Sequence, residues 1–281
     1  MRQRIMQRVG FALLALTSLI VVVPILLVVG IIVARGLNAV SWEFLTAMPR
    51  EGMRAGGILP AIVGTILLTL GTALAAIPVG VAGAIYLSEY ASDNIFTRSI
   101  RLAIINLAGI PSVVYGLFGL GLFVIFLRFG TSILAGSLTL AIMTLPIIVS
   151  TTEEALRSVP MEFRTVSASL GGTRWQGIWK IILPQAFPGI VTGVLLGLLR
   201  AAGETAPILF TVATFFLPRL PQSVFDQTMA LPYHLFVIST QVPGMPMEIQ
   251  YGTALVLLVL VLSLNLVATL LRSYFRRRRQ W

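Results

Sequence analysis

The chain has 281 residues, of which 57% are hydrophobic and 11% charged; its net charge is +10 and it has no cysteine. A mean hydropathy of +0.95 exceeds what a water-soluble core of this length needs. The missing thiols exclude disulfides, thiolate catalysis and cysteine-based metal sites.

Six apolar stretches, at about 11–34, 59–87, 102–127, 131–150, 186–217 and 251–271, each reach the ~20 residues that cross a bilayer as a helix. A membrane barrel would show alternating segments of about ten residues instead. The expectation is an all-α polytopic membrane protein with six transmembrane helices. Placing both termini in the cytoplasm puts fourteen basic residues inside: Arg2, Arg4, Arg8, Arg98, Arg101, Arg157, Arg164, Arg174, Lys180, Arg272 and Arg276 through Arg279. Only Arg35, Arg50, Arg54, Arg128 and Arg219 fall outside, a positive-inside distribution that needs no nucleic acid to explain the net charge.

Residues 1–58 form the first unit: a cytoplasmic tail, the first span and an outer loop carrying Trp42, Pro49 and Gly56-Gly57. The start imitates a secretory signal. Its apolar run is too long, however, and Val33-Ala34-Arg35 is a poor cleavage site, so it reads as a retained helix. A core at 59–271 follows, then a basic tail at 272–281 whose arginine run anchors the last span at anionic headgroups. No internal repeat divides the chain. Pro78 and Gly80 mark the second span, and Gly109, Pro111, Gly116, Gly119 and Gly121 the third. Such breakers suit a flexing pathway or ordinary kinks alike. Five prolines between 218 and 250 predict an outer loop of short turns rather than long helices.

The fifth stretch carries two charges, Arg200 and Glu204, each costing roughly 2.5–3.5 kcal/mol at mid-span on insertion scales. On a helical wheel Gly189, Gly193, Gly197, Arg200, Glu204, Pro207 and Thr211 share one face. Small residues at four-residue spacing admit a neighbouring backbone, so this face turns to protein or to a pathway. One straight helix from Pro184 to Leu217 would run roughly 50 Å against ~30 Å of hydrocarbon. It must therefore tilt, begin in the interface or break near Gly203–Pro207. Two roles fit the charges. Arg200 offers forked donors to an oxyanion, with Glu204 holding it and preventing tight trapping; or the two form an ion pair that locks helices or subunits together. Arg before Glu is the weaker i, i+4 order, which favours partners outside this helix.

Between Ser150 and Ile182 lies the one sizeable polar segment on the inner side. Two short helices are predicted there, around Glu153–Arg157 and Glu162–Leu170, separated by Pro160. Gly171-Gly172 end the second, and Thr173-Arg-Trp-Gln176 has the form of a capping box opening a third. Short helices bent at glycine across the inner face form a docking surface; a solvated connector is the plainer alternative.

Gly171 followed by Ile181-Ile182-Leu183-Pro184 resembles the G-x9-I-x-L-P half of the EAA loop of binding-protein-dependent ABC importer permeases. That resemblance implies the type I ABC importer permease fold. It also makes 151–184 the coupling loop that sits on an ATPase chain, with Glu153, Glu154, Arg164, Gly171, Gly172 and Arg174 as its contacts. Where the family reads Glu-Ala-Ala this chain has Thr165-Val166-Ser167, so no salt bridge from that position is implied. Within the family the chain is similar to the phosphate-importer branch, the PstA group. The matching segments are Pro78-Val-Gly80 with Ala84-Ile-Tyr-Leu-Ser-Glu-Tyr-Ala91, Leu107-Ala-Gly-Ile-Pro-Ser-Val-Val-Tyr-Gly-Leu-Phe-Gly119, Glu154-Ala-Leu-Arg-Ser-Val-Pro160, Arg200-Ala-Ala-Gly-Glu-Thr-Ala-Pro207 and Leu231-Pro-Tyr-His-Leu-Phe236. The implied function is the membrane subunit of an ATP-driven phosphate importer in a cell membrane, with Arg200, Glu204 and Thr205 on the pathway. The implied partners are a second homologous permease (PstC-like), two ATPase subunits (PstB-like), an extracytoplasmic phosphate-binding protein (PstS-like) and membrane lipid. The sister subunit, a permease for molybdate, tungstate or sulfate, and an autonomous secondary transporter are the alternatives.

No G-x4-G-K-[ST] is present and Lys180 is the only lysine, so no Walker A loop cradles nucleotide here. Glu153 and Glu154 diverge on a helix and do not make an acid/base pair. The single histidine, His234, reads as a solvated or hydrogen-bonded bystander in an outer loop. No enzyme activity, cofactor or metal is expected.

Overall fold

The computed structural model describes residues 2–169 and 171–277; Leu170 and the last two arginines of the closing run, Arg278 and Arg279, lie outside them. In chain order the helices are α1 (Arg2–Gly36), α2 (Trp42–Thr46), α3 (Leu59–Ile85), α4 (Ile95–Ala108), α5 (Ser112–Gly119), α6 (Ile133–Arg157), α7 (Met161–Ser169), α8 (Arg174–Gly177), α9 (Leu183–Gly203), α10 (Ala206–Thr211), α11 (Leu231–Thr240) and α12 (Met247–Arg277). Wider π-turns extend three of them: Tyr86–Tyr90 after α3, Leu120–Phe126 after α5, and Ile178–Ile182, which fuses α8 to α9. Strands β1 (Pro49–Arg50) and β2 (Ala55–Gly56) pair antiparallel in the loop before α3.

Five helical stretches are long and apolar enough to cross a bilayer: Met6–Gly36, Leu59–Tyr90, Ile133–Arg157, Arg174–Gly203 and Met247–Leu271. A bent pair makes a sixth only when it is counted as a single broken span. The stretch at 102–127 is not one straight helix, because α4 and the continuous run Ser112–Phe126 meet at 103°. Pro111 lacks a donor, and its ring would strike the Leu107 carbonyl of a continued helix. The chain turns there instead, and the Tyr115 hydroxyl donates to that carbonyl at 2.8 Å.

Helix α6 is the centre of the bundle. Of its most apolar window 67% is enclosed by the rest of the chain, against none of the α1 window. Helices α3 and α9 flank it, and most buried threonines of α3 and α6 bond back to their own helix, Thr152 Oγ1 being the one without a partner among the described residues. Thr65, Thr72 and Thr139 donate to the carbonyls of Ala61, Leu68 and Ala135 four residues back, at 2.7–2.8 Å. The small face of α9 turns towards α6: a Cβ at Gly189 would lie 2.5 Å from that of Ala155, and one at Gly193 would overlap the Thr151 hydroxyl. Only glycine permits this approach.

At the end of the bundle away from the arginine-rich loop, the segment after α10 supplies acceptors to the opening turn of α6. Ser132, Ile133 and Leu134 N–H groups donate to the carbonyls of Thr211, Asp226 and Val224, a turn whose donors have no partner within the helix. The loop at 218–250 is more helical than its prolines predict. Pro232 falls in the first turn of α11, where a missing N–H is harmless, so ten residues of helix form. This helix docks on α3, with Leu231 N–H donating to Thr65 Oγ1 at 2.8 Å. The opposite end has its own small core, in which Leu156, Val159, Ile178, Ile182, Ala186 and Ile190 close under the polar loop.

Candidate functional sites: a helix break and a docking loop

The fifth stretch breaks where its sequence carries charge. Helix α9 ends at Gly203, and Glu204 adopts extended backbone (φ −76°, ψ 137°). The ring of Pro207 would meet the Gly203 carbonyl four residues back, so the helix cannot continue. This corrects the wheel: Glu204, Pro207 and Thr211 do not prolong the glycine face. Pro207 and Thr211 instead belong to α10, where the buried Thr211 hydroxyl donates to Pro207 O at 2.9 Å.

Arg200 therefore lies in the last turn of α9, where the helix dipole favours a cation. Its Nε donates to Glu204 Oε1 at 3.4 Å, a long bond, with 36% and 17% of the two side chains exposed. Among the described residues its two Nη groups have no hydrogen-bond acceptor, leaving the forked end of the guanidinium open. Thr205, half-buried, joins the two helices. The break abuts the bent pair. A Cβ on Gly116 of α5 would come within 3.0 Å of Ala206 O and Pro207 Cα, and the buried Tyr115 belongs to one core cluster with Ala201 of α9 and Ile208 of α10. Tyr115 stood out in the sequence only as part of a matching segment; its one hydroxyl in an apolar span beside a Gly–Pro break was the available signal.

The docking loop is held by arginines. Arg164 of α7 pairs with Glu89 of the α3 π-turn, Nη2 to Oε1 at 2.9 Å. The same guanidinium donates to Val159 O at 2.7 Å and Leu156 O at 2.9 Å. Arg101 and Arg157 converge on Glu153 at 2.8 and 2.7 Å, and Arg101 also donates to Leu87 O. Glu153 and Arg164, expected as ATPase contacts, each carry ion pairs within the chain. Glu154 and Arg174 are exposed. Gly171 turns with φ +71°, a conformation that strains other residues, and lets the chain reverse between α7 and α8. The Thr173–Gln176 capping box forms in both directions, and Trp175 packs on Trp179, ring centres 5.2 Å apart. Gly172 and Arg174 line a cavity of about 550 Å³ with Glu89, Arg157 and Arg164.

His234 is not solvated. It is 3% exposed in α11, and Nδ1 has no partner among the described residues. Burial pushes its pKa down to about 4, so the ring is neutral near pH 7. In the loop before α11, the Gln222 backbone N–H, 2.8 Å away, leads the interactions that hold the Asp226 carboxyl below its usual range.

Three comparisons bear on this architecture. Residues 76–281 match the family described as binding-protein-dependent transport system inner membrane component. The phosphate transport system permease protein PstA of Mycobacterium leprae is 36% identical over 284 residues, covering 99% of this chain and 92% of its own length. A probable ABC transporter permease protein, YqgI of Bacillus subtilis, is 32% identical and covers 95% of each chain. A bacterial ABC transporter involved in the import of the acidic polysaccharide alginate superposes with a TM-score of 0.70 at 14% identity, over 99% of this chain and 98% of that one. The chain therefore belongs to the binding-protein-dependent transport system inner membrane components, as a multi-pass membrane protein with the type I ABC importer permease fold.

Proposed function

We propose that this chain is a transmembrane subunit of an ATP-driven inorganic phosphate importer, forming half of the translocation pathway. The observation that carries this reading is the break at Gly203–Thr205, which leaves the Arg200 fork open beside Glu204 in a chain similar over nearly its full length to a phosphate permease. A doubly charged oxyanion crossing low-dielectric space needs a cation with paired donors, and guanidinium provides them. Glu204, 3.4 Å from Nε, leaves the fork free and, as a nearby anion, keeps the contact weak enough to release.

On this reading the arginine-rich end faces the cytoplasm with both termini. The loop at 151–184 docks one of two ATPase subunits through its exposed Glu154, Arg174 and the Gly171-Gly172 turn. A second homologous permease completes the pathway, and an extracytoplasmic binding protein delivers phosphate. ATP hydrolysis resides in the partner chains, consistent with the missing Walker A loop.

The test is uptake by the assembled complex in vesicles. Arg200→Gln is expected to co-purify with its partners and to lower phosphate uptake at least about tenfold, as loss of one bidentate charged contact does. Normal uptake by that variant removes the pathway role, and failure to assemble makes Arg200 a locking residue. Uptake by the isolated chain without nucleotide would make it an autonomous transporter and overturn the proposal.

A further inference from the structure

The polar loop and the third helix are joined by one charged contact that no local pattern announces. Glu89 sits in the π-turn closing α3, its side chain 8% exposed, and its carboxylate accepts from Arg164 of α7, 75 residues away in sequence. Arg164 also holds the carbonyls of Leu156 and Val159, which close the end of α6. One guanidinium thus ties three elements: α7, the end of α6 and the end of α3. Helix α3 continues to the far end of the bundle, where Thr65 holds α11 and the outer loop. A π-turn is a helical turn with one residue too many, and such turns are places where a helix yields.

We propose that Glu89 is a positioning residue for energy coupling: through Arg164 it makes α3 follow α7, so that movement of the docking loop reaches the opposite end of the bundle. This inference rests on the docking role proposed above for the 151–184 loop. The two kinds of contact made by Arg164 divide the work. Its carbonyl bonds keep α7 seated on α6, and its carboxylate bond alone engages α3. Removing Glu89 should therefore break the charged link to α3, leaving only the apolar packing of Val81 and Ile85, while the loop stays in place, whereas removing Arg164 undoes both. The cavity bounded by Glu89, Arg164 and Arg174 gives the loop room to shift relative to the π-turn.

The experiment compares the reconstituted complex carrying Glu89→Ala with the unaltered one, reading ATPase content, ATP hydrolysis and phosphate uptake. The expected result is normal recovery of the ATPase subunits and hydrolysis that no longer responds to phosphate-loaded binding protein. Uptake per ATP should fall about tenfold, within the range of ordinary coupling free energies. Glu89→Asp, which keeps the charge, should restore at least half of the ratio. Should Glu89→Ala fail to assemble, Glu89→Gln is the second variant, because it keeps the size of the side chain and removes its charge. An unchanged uptake-to-hydrolysis ratio in the variant that assembles overturns the inference and leaves the docking reading intact. Absence of ATPase subunits from the unaltered complex overturns that reading itself.

Discussion

The Arg200–Glu204 pair at the helix break and the Arg164–Glu89 pair of the docking loop are built differently. Arg200 and Glu204 are four residues apart, partly exposed and separated by 3.4 Å; Arg164 and Glu89 are 75 residues apart, more buried and separated by 2.9 Å with two further carbonyl bonds. The first pair is easy to open and leaves donors over. The second is costlier to open, because Glu89 alone would be a carboxylate largely shut away from water. A pathway needs the former and a joint between elements needs the latter.

The contrast can be broken first at its tight end. Arg164→Ala should destabilise the protein by about 3 kcal/mol, because a largely enclosed carboxylate loses its charged partner and two carbonyls lose their donor. A thermal melt of the solubilised complex measures it, and a loss below about 1 kcal/mol would make the two pairs alike. His234 sharpens the point, being a buried group with no counter-charge. Its depressed folded pKa contributes stability that is full above about 6.5 and lost as pH falls towards about 4. Across that window about 3 kcal/mol should disappear, and His234→Gln should melt with a flatter pH dependence.

A smaller effect belongs to the uncharged contact between the sites. Gly193→Ala pushes a methyl into Thr151 and should cost about 1–3 kcal/mol, with Thr151→Ala in the same chain recovering much of it. A double-mutant cycle on melting temperature reads the coupling. At the loose end, Arg200→Gln should change stability by less than about 1 kcal/mol while uptake falls. A large loss of stability there would make Arg200 a structural anchor and erase the comparison.

Much of this was legible before the fold. Apolar length alone pointed to the five unbroken spans, since a helix in lipid must satisfy its own backbone. The Thr173–Gln176 capping box and the glycine at the end of α7 were readable because caps are local chemistry. Breakers were visible at Gly109–Pro111 and Gly203–Pro207, but not the 103° that the first produces. The wheel failed beyond Gly203 because it assumes continuity, and Pro207 forbids it. Glu89 escaped notice for a different reason: its partner lies several elements further along, and no periodicity links them. Burial of His234 was hidden likewise, since it depends on α11 folding back against α3.

The three π-turns carry a last consequence. Each is a helix holding one surplus amino acid, accommodated without rotating the downstream segment. A residue can accordingly be deleted from such a turn and the register beyond it kept, whereas the same deletion in α6 would rotate every later side chain of that helix by about 100°. Length in this protein is adjustable at those three points and rigid along the central helix, so natural indels among its relatives have a permitted place to fall.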